Sequence, residues 1–507
     1  MMTRLLDRVW ETVQFVYTVA KLANLRRRQP RQVLALQQRR LRQMLRFAYE
    51  HSPYYRRQLR GLDVQRCPLT DIPILTKDAL MEHFDDLVTD RRIRRADVER
   101  FLADPSNFGR YYLDRYVVCH TSGSQGRPAI IVQTPQDVSL TFAAQAARAH
   151  ALPKKWRVLL SRLVRRMRVA ILTVPPGFYP SGTFFHYMPR ASRRLAQFLR
   201  LSLLDPLADN VAKLNAFAPH FLTGYASALE ALAREERAGR LRLRQTGCLQ
   251  LITNISEPLS AEVRRALEDT FGVHVADHYA MGECMALTFG CPIGNGSHLN
   301  ADLAYLEVVD ADYRPVPPGT RGRRVLITNL YNRVQPLIRY EIDDVITLSA
   351  RPCPCGSNLP VIESIEGRTP DIFWVSQDGR YRELTQYLFR MALLYHIDVQ
   401  EFQVAQVDRN AFTVRVAPLP GKVLDAEQIR RSICATLEDK GGFADVHVQV
   451  EVVPGIAPDP RTGKVKRFVS IVGPPQDLQR KELLCVGPTR SDDGAIATPL
   501  ASATRAQ

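Results

Sequence analysis

The stretch His120-Thr121-Ser122-Gly123-Ser124-Gln125-Gly126-Arg127-Pro128-Ala129 lies between two β-branched runs, Tyr116-Val117-Val118-Cys119 before it and Ile130-Ile131-Val132 after it. Extended apolar residues on either side of a small-residue cluster spell strand, loop, strand. Thr121, Ser122 and Ser124 supply hydroxyls, and Gly123 and Gly126 leave backbone N–H groups open. Such a loop can cradle a phosphate, because nothing bulky blocks an approaching polyanion. An ordinary hairpin turn is the competing reading. A Walker loop is excluded, since the terminal Gly-Lys-Ser/Thr is missing and a strand is expected to follow.

Working outward, the 507 residues allow more than one domain, and 45% hydrophobic with 24% charged residues is the balance of a globular protein. No apolar run is long enough to span a bilayer, and the N-terminus lacks a signal-peptide pattern. Nine cysteines over this length make no disulfide framework, so a cytoplasmic location is expected. The net charge of +17 is uneven. Residues 1–66 carry 15 Lys/Arg against 4 Asp/Glu, and residues 151–204 carry 11 Lys/Arg and no acid, so the remainder is slightly acidic. Two basic surfaces suit anionic partners such as phosphorylated cofactors or anionic lipid. No nucleic-acid module accompanies them, and nucleic acid is not expected as a partner.

Residues 3–24 repeat Leu5, Leu6, Val9, Trp10, Val13, Val16 and Tyr17 at helical spacing, with Arg26-Arg27-Arg28 behind them. This helix either lies on a membrane surface, as a peripheral contact through the basic N-terminus, or docks on the body of the protein. A second helix is expected from Pro30 to His51, and an alanine-rich one from Asp137 to Leu152, opened by Thr134-Pro135. Strands and helices then alternate through residues 168–174, 221–225, 249–253, 261–270 and 273–279, which predicts an α/β body with helix-covered sheets. The expected organisation is an N-terminal basic helix region at 1–34 and a large domain at 35–370. A small C-terminal α/β lid at 371–472 and a disordered tail at 473–507 complete it.

Four further stretches carry chemistry: Asp277-His278-Tyr279-Ala280-Met281-Gly282-Glu283-Cys284, Ile338-Arg339-Tyr340-Glu341-Ile342-Asp343-Asp344, Ile365-Glu366-Gly367-Arg368-Thr369-Pro370-Asp371, and Pro460-Arg461-Thr462-Gly463-Lys464-Val465-Lys466-Arg467. An aromatic followed by a carboxylate can pack a flat ring and hold a metal ion, and paired acids can accept from ribose hydroxyls. A glycine-lysine turn can bring a cation to a phosphate. With the first loop, and with Ser52-Pro53-Tyr54-Tyr55, Tyr225-Ala226-Ser227 and Ser256-Glu257-Pro258, this order resembles the adenylate-forming (acyl-CoA synthetase) superfamily over residues 35–470. The similarity is greatest to its phenylacetate–CoA ligase-like branch, which includes capsule-locus proteins and coenzyme-adenylating synthetases.

The resemblance implies a large adenylate-forming domain and a small lid that use ATP, magnesium and a small-molecule carboxylate, with CoA or another acceptor taking the acyl group. Thr121, Ser122, Gly123, Ser124 and Gly126 would grip the β- and γ-phosphates. Tyr279 would stack on adenine, with Glu257, Met281 and Gly282 lining the nucleotide site. Glu283 would help hold magnesium, Asp344 would take the ribose hydroxyls with Arg368 nearby, and Lys464 would reach the α-phosphate and the carboxylate. Lys466 and Arg467 are rivals for that last role. Carboxylate attack on an α-phosphate requires two anions brought in line and cations where charge develops, with no covalent group from the enzyme. This chain departs from the family pattern in having Ala129 in place of the loop's lysine, Gly282 in place of a hydroxyl residue and Pro370 at the hinge. The expected activity is acyl-adenylate formation, followed by transfer to CoA. Adenylylation of a cofactor or other acceptor without a thioester, or a non-catalytic descendant, are the alternatives.

Cys291, His298, Cys353 and Cys355 offer three thiols and one imidazole, a structural zinc set, with inert reduced thiols as the competing reading. Similar sites in the same ligase branch favour zinc. Cys67, Cys119, Cys248, Cys284, Cys434 and Cys485 follow no ligand spacing and are expected to be buried as small hydrophobes.

Overall fold

The structure, a computed structural model, describes residues 2–472 except 26–27, 122–127, 149–165, 174–177, 204, 258, 292, 295, 369–372, 385, 395, 397, 420, 458–464 and 466. The side chains of 2–10, 195, 367, 368, 387, 390, 391, 394, 440 and 441 are likewise outside the description. The chain divides into two compact units. One comprises Met1–Glu307, Val325–Ile342 and Arg351–Ser364; the other comprises Val308–Arg324, Asp343–Ala350 and the chain from Ile365 onward.

In the first unit, helices α1 (Met2–Ala23) and α2 (Pro30–His51) precede a hairpin of β1 (Val117–His120) and β2 (Ile130–Gln133). Helix α3 (Pro135–Arg148) starts earlier than its pattern suggested, because proline is tolerated in a first turn and Thr134 and Asp137 cap each other across it. Residues 149–152 of the expected helix lie outside the described residues. The chain continues through β3 (Met167–Thr173), α4 (Pro180–His186), α5 (Arg190–Leu195) and β4 (Ala196–Ser202). It then alternates: α6 (Leu207–Phe217), β5 (Phe221–Gly224), α7 (Ala226–Arg237), β6 (Leu251–Ile255), α8 (Ala261–Phe271) and β7 (His274–His278).

Strands β3 to β7 form one parallel sheet in the order β4-β3-β5-β6-β7. Parallel strands need crossover connections, and α6, α7 and α8 provide them and bury the sheet. Ala170, Leu172, Leu222, Ile252 and Val275 meet Leu214, Leu229, Leu232, Leu267 and Phe271 in this core. Ser260 caps the start of α8, and Gly272 at φ +70° ends it, a left-handed conformation that glycine adopts without penalty. A second core packs Leu41, Leu45, Tyr54, Tyr55 and Phe84 against Ile131 of the hairpin and Ile338. Helix α1 docks on the body: Phe15 and Leu22 pack on Ala143, Ala144 and Ala147 of α3 and on Ala191 of α5. Alanine lets the helices approach closely.

Further strands are β8 (Thr288–Gly290), β9 (Ser297–Leu299), β10 (Ala304–Val309), β11 (Arg324–Asn329), β12 (Tyr340–Ile342), β13 (Asp344–Leu348) and β14 (Val361–Arg368). The second unit also holds the hairpin β15 (Phe373–Gln377) and β16 (Arg380–Leu384), with α9 (Gln386–Leu394), β17 (Val399–Asp408), β18 (Ala411–Pro418), α10 (Ala426–Gly441), β19 (His447–Val452) and β20 (Phe468–Ser470). Its sheet runs β19-β18-β17-β20 and is mixed, around a core of Phe373, Phe389, Phe412, Val414 and Ile433. Among the described residues no helix is long and apolar enough to cross a membrane. The tail from 473 lies outside the described residues.

Candidate functional site

The loop of the opening stretch is held at its neck. His120 pairs with Ile130, and one step further Thr121 N–H donates to the Ala129 carbonyl at 2.9 Å while Ala129 N–H donates to the Thr121 hydroxyl at 3.0 Å. The loop therefore leaves the hairpin at a rung closed from both sides. Ser122, Gly123, Ser124 and Gly126 lie beyond it, outside the described residues. Ala129 has no exposure and belongs to the core beneath the hairpin. A lysine in this position of the packed strand would bury an ammonium.

Ligands of parallel α/β sheets bind outside the carboxyl ends of the strands, and of the candidate residues that are described, Glu257 follows β6 while Tyr279, Met281, Gly282 and Glu283 follow β7. Tyr279 directly follows β7. Thr288 fixes its backbone from both sides, its hydroxyl accepting from Tyr279 N–H at 3.0 Å and donating to the Tyr279 carbonyl at 2.7 Å. Two residues on, Met281 and Cys284 close a tight turn, with Cys284 N–H donating to the Met281 carbonyl at 3.0 Å. Gly282 sits in that turn. A Cβ at Gly282 would lie 2.8 Å from Pro180 Cγ and 3.7 Å from Thr121 Cγ2, so a serine or threonine has no room there. The same close approach brings the Glu283 turn beside the neck of the Thr121–Ala129 loop.

Glu283 is anchored twice. Its carbonyl accepts from Asn329 Nδ2 at 2.9 Å, and its Oε1 accepts from the Tyr340 hydroxyl at 3.2 Å. The Tyr340 hydroxyl lies in the stretch whose acids draw attention in the sequence, and its contact with Glu283 is one that the sequence pattern does not announce. Glu257 is engaged structurally: its carboxylate accepts from Ser227 N–H at 2.9 Å and from the Ser227 hydroxyl at 3.1 Å, at the start of α7. Its carbonyl accepts from Asn254 Nδ2 at 2.7 Å, which also donates to Asp277 at 2.7 Å. Thus the ends of β5, β6 and β7 are tied together. Burial pushes the Asp277 carboxyl up to about 6 and His278 down to about 4. Gln145 meets that neutral imidazole, its amide nitrogen donating to Nε2 at 2.8 Å.

In the second unit, Asp344 is buried at the head of β13, and its neighbour Asp343 lies 4.0 Å from Arg324. Arg368 ends β14, with its side chain outside the description. Lys464, Lys466 and Pro370 lie outside the described residues. Arg467 is described: its guanidinium lies over the Phe402 ring at 5.1 Å, and its carbonyl accepts from Val404 N–H, so it serves as a clasp for β20.

The four candidate metal ligands converge. The ligating atoms of Cys291, His298, Cys353 and Cys355 all lie within 4.8 Å of one another. Cys291 and Cys353 sulfurs are 3.5 Å apart, and Cys355 Sγ is 3.2 Å from His298 Nε2. His298 Nδ1 donates to the Leu359 carbonyl at 3.2 Å, which turns Nε2 inward as a ligand should be turned. Three segments meet through pairing: β8 with β9, and β9 with β14 through His298 and Val361. At Gly296, φ +72°, an added Cβ would collide with the Ile362 carbonyl. Burial and the adjoining thiols push Cys355 up to about 12. Three thiols and an oriented imidazole, three of the four residues buried and Cys355 half-buried, fit a tetrahedral divalent cation, which would stabilise the thiolates. Among the other cysteines, Cys67, Cys119 and Cys284 are buried as expected, whereas Cys248 and Cys434 are only half-buried; Cys485 lies outside the described residues.

Comparison with known proteins agrees with this architecture. The AMP-binding enzyme family matches residues 110–327. A phenylacetate–coenzyme A ligase from Thermus thermophilus is 24% identical over 481 residues, covering 87% of this chain and 97% of that protein. One from Escherichia coli is 25% identical over 351 residues, covering 67% and 71%. Among solved structures, a 2-hydroxyisobutyryl-CoA ligase in the postadenylation state with its acyl-AMP superposes with a TM-score of 0.65 at 21% identity, covering 89% of this chain and 91% of that one. By these matches the chain carries an AMP-binding enzyme region over residues 110–327, is similar along most of its length to phenylacetate–coenzyme A ligases, and shares the fold of an acyl-CoA ligase.

Proposed function

We propose that this protein activates a carboxylic acid with ATP as an acyl-adenylate and passes the acyl group to CoA. The observation that carries the reading is Glu283, held by Tyr340 at the carboxyl end of the parallel sheet and set beside the neck of the Thr121–Ala129 loop. In this reading the loop residues Thr121–Gly126 hold the β- and γ-phosphates, Glu283 holds magnesium, and Tyr279 packs on adenine with Met281 and Gly282 at its edge. Asp344 and Arg368 take the ribose. Lys464, on a lid spanning 371–472, supplies the cation at the α-phosphate. Residues 35–370 form the ATP- and substrate-binding part. Glu257 serves the nucleotide site through its clamp on α7. Zinc at Cys291, His298, Cys353 and Cys355 is structural, stapling three segments. The relatives act on phenylacetate by name, and an aryl or acyl acid is the substrate class proposed here.

ATP–pyrophosphate exchange across a panel of aryl and aliphatic acids tests the reading. Acid-dependent exchange with subsequent thioester formation supports it; absence of both nucleotide binding and exchange overturns it. Ala129 favours one variation. A phosphate loop without its lysine handles the triphosphate differently, and delivery of the adenylate to an acceptor other than CoA would appear as exchange with AMP left on a product.

A further inference from the structure

Helix α1 has two apolar faces, and the body of the protein uses one. Phe15 and Leu22 are buried against α3 and α5. On the opposite side Val13, Val16 and Tyr17 are 52%, 53% and 66% exposed, and Ala20 continues the row one turn on. Large apolar side chains at i, i+3 and i+4 facing water on a 22-residue helix call for a covering surface. The charge around the row says which kind. Helix α5 packs on α1, with Arg194 donating to the Thr12 hydroxyl, and its Arg190, Arg193 and Arg194 are exposed. That helix belongs to the stretch 151–204, which has 11 Lys/Arg and no acid. Lys21 ends α1, and Arg28 beyond it is exposed. A second copy of the chain would bring two such basic surfaces together, whereas a broad anionic plane matches both the apolar row and its rim.

We propose that α1 docks the protein on an anionic lipid bilayer, with the helix lying in the membrane plane, Val13, Val16 and Tyr17 entering the headgroup boundary, and the α5 arginines meeting the lipid phosphates. Docking on the body and on a membrane are thus two faces of one helix. The inference is independent of the ligase reading, since no residue of the nucleotide site takes part.

The test is sedimentation of the full chain with phosphatidylglycerol-containing and pure phosphatidylcholine vesicles. The parent should partition onto the anionic vesicles and not the neutral ones, with binding weakened by salt. Val13→Ser/Val16→Ser/Tyr17→Ser should lower the partition coefficient on the order of tenfold while leaving melting temperature and pyrophosphate exchange unchanged. Lys21→Glu/Arg190→Glu should weaken binding without altering the apolar row. Absence of parent binding, or equal binding by parent and triple variant, overturns the proposal. So does a parent dimer that the triple variant dissociates, which would make a second copy the occupant. A melting temperature lowered by the triple variant would assign the face to this chain's own residues and equally overturn it.

Discussion

At the scale of single residues, positioning governs the site. Removing the Tyr340 hydroxyl leaves the Glu283 carboxylate without one hydrogen bond, so Tyr340→Phe should reduce pyrophosphate exchange by about tenfold, the rate equivalent of a hydrogen bond worth about 1.4 kcal/mol. Lys464→Ala should cost on the order of a hundredfold or more in exchange with ATP affinity little changed, as loss of a transition-state charge does. Unchanged exchange would reassign the role to Lys466. Gly282→Ser should both destabilise the protein and depress exchange, because its Cβ meets Pro180 Cγ at 2.8 Å. Adding Pro180→Ala in the same chain should restore part of both. Asp277 gives a pH signature. Its folded pKa is raised to about 6 from 3.8, so the parent is penalised when the carboxyl ionises on rising through about 6. Asp277→Asn should therefore gain in melting temperature relative to the parent above pH 6, and the difference should shrink as the pH approaches 4.

At the scale of elements, strand pairing brings the Cys3His cluster together, so a metal bound there would be coupled to the local fold. One zinc per chain is expected by elemental analysis, and a strong chelator should lower the melting temperature as β8, β9 and β14 lose their shared ligand. Cys353→Ser should reproduce the chelator effect and abolish any further response to chelation. A metal-free preparation of unchanged stability would refute the staple. The Glu257–Ser227 clamp ties segments without a metal, a carboxylate satisfying the Ser227 N–H and hydroxyl in the first turn of α7 and tying the end of β6 to it.

At the scale of the molecule, the proposed activity has two steps, adenylation and thioester formation, and the resemblance implies that a small domain would turn about residue 370 between them. A proline restricts φ to near −65°, so Pro370 would hinder a turn about that position. Acyl-AMP formation should then outpace thioester formation, and Pro370→Asp should speed the thioester step while leaving pyrophosphate exchange nearly unchanged. Acyl-CoA appearing as fast as exchange in the parent would remove the hinge from the account.

Local chemistry was legible in the sequence. The β-branched runs around residues 121–129 dictated a hairpin, since two extended apolar segments flanking a small-residue loop have one compact solution. The alternating segments from 168 to 279 called for an α/β body with helix-covered sheets, because strands separated by helices need those helices on the sheet faces; that the strands run parallel in the order β4-β3-β5-β6-β7 was decided by the tertiary structure. Cys291, His298, Cys353 and Cys355 could be picked by residue type alone. What the chain could not declare were contacts between distant positions. The pairing of Glu283 with Tyr340, the crowding of Gly282 by Pro180, and the burial of Ala129 beneath the hairpin arise when segments tens to hundreds of residues apart pack together. The exposed face of α1 belongs with these: periodicity marks Val13, Phe15, Val16, Tyr17 and Leu22 alike as apolar, and only docking on α3 and α5 decides that Phe15 and Leu22 are covered while the other three meet solvent.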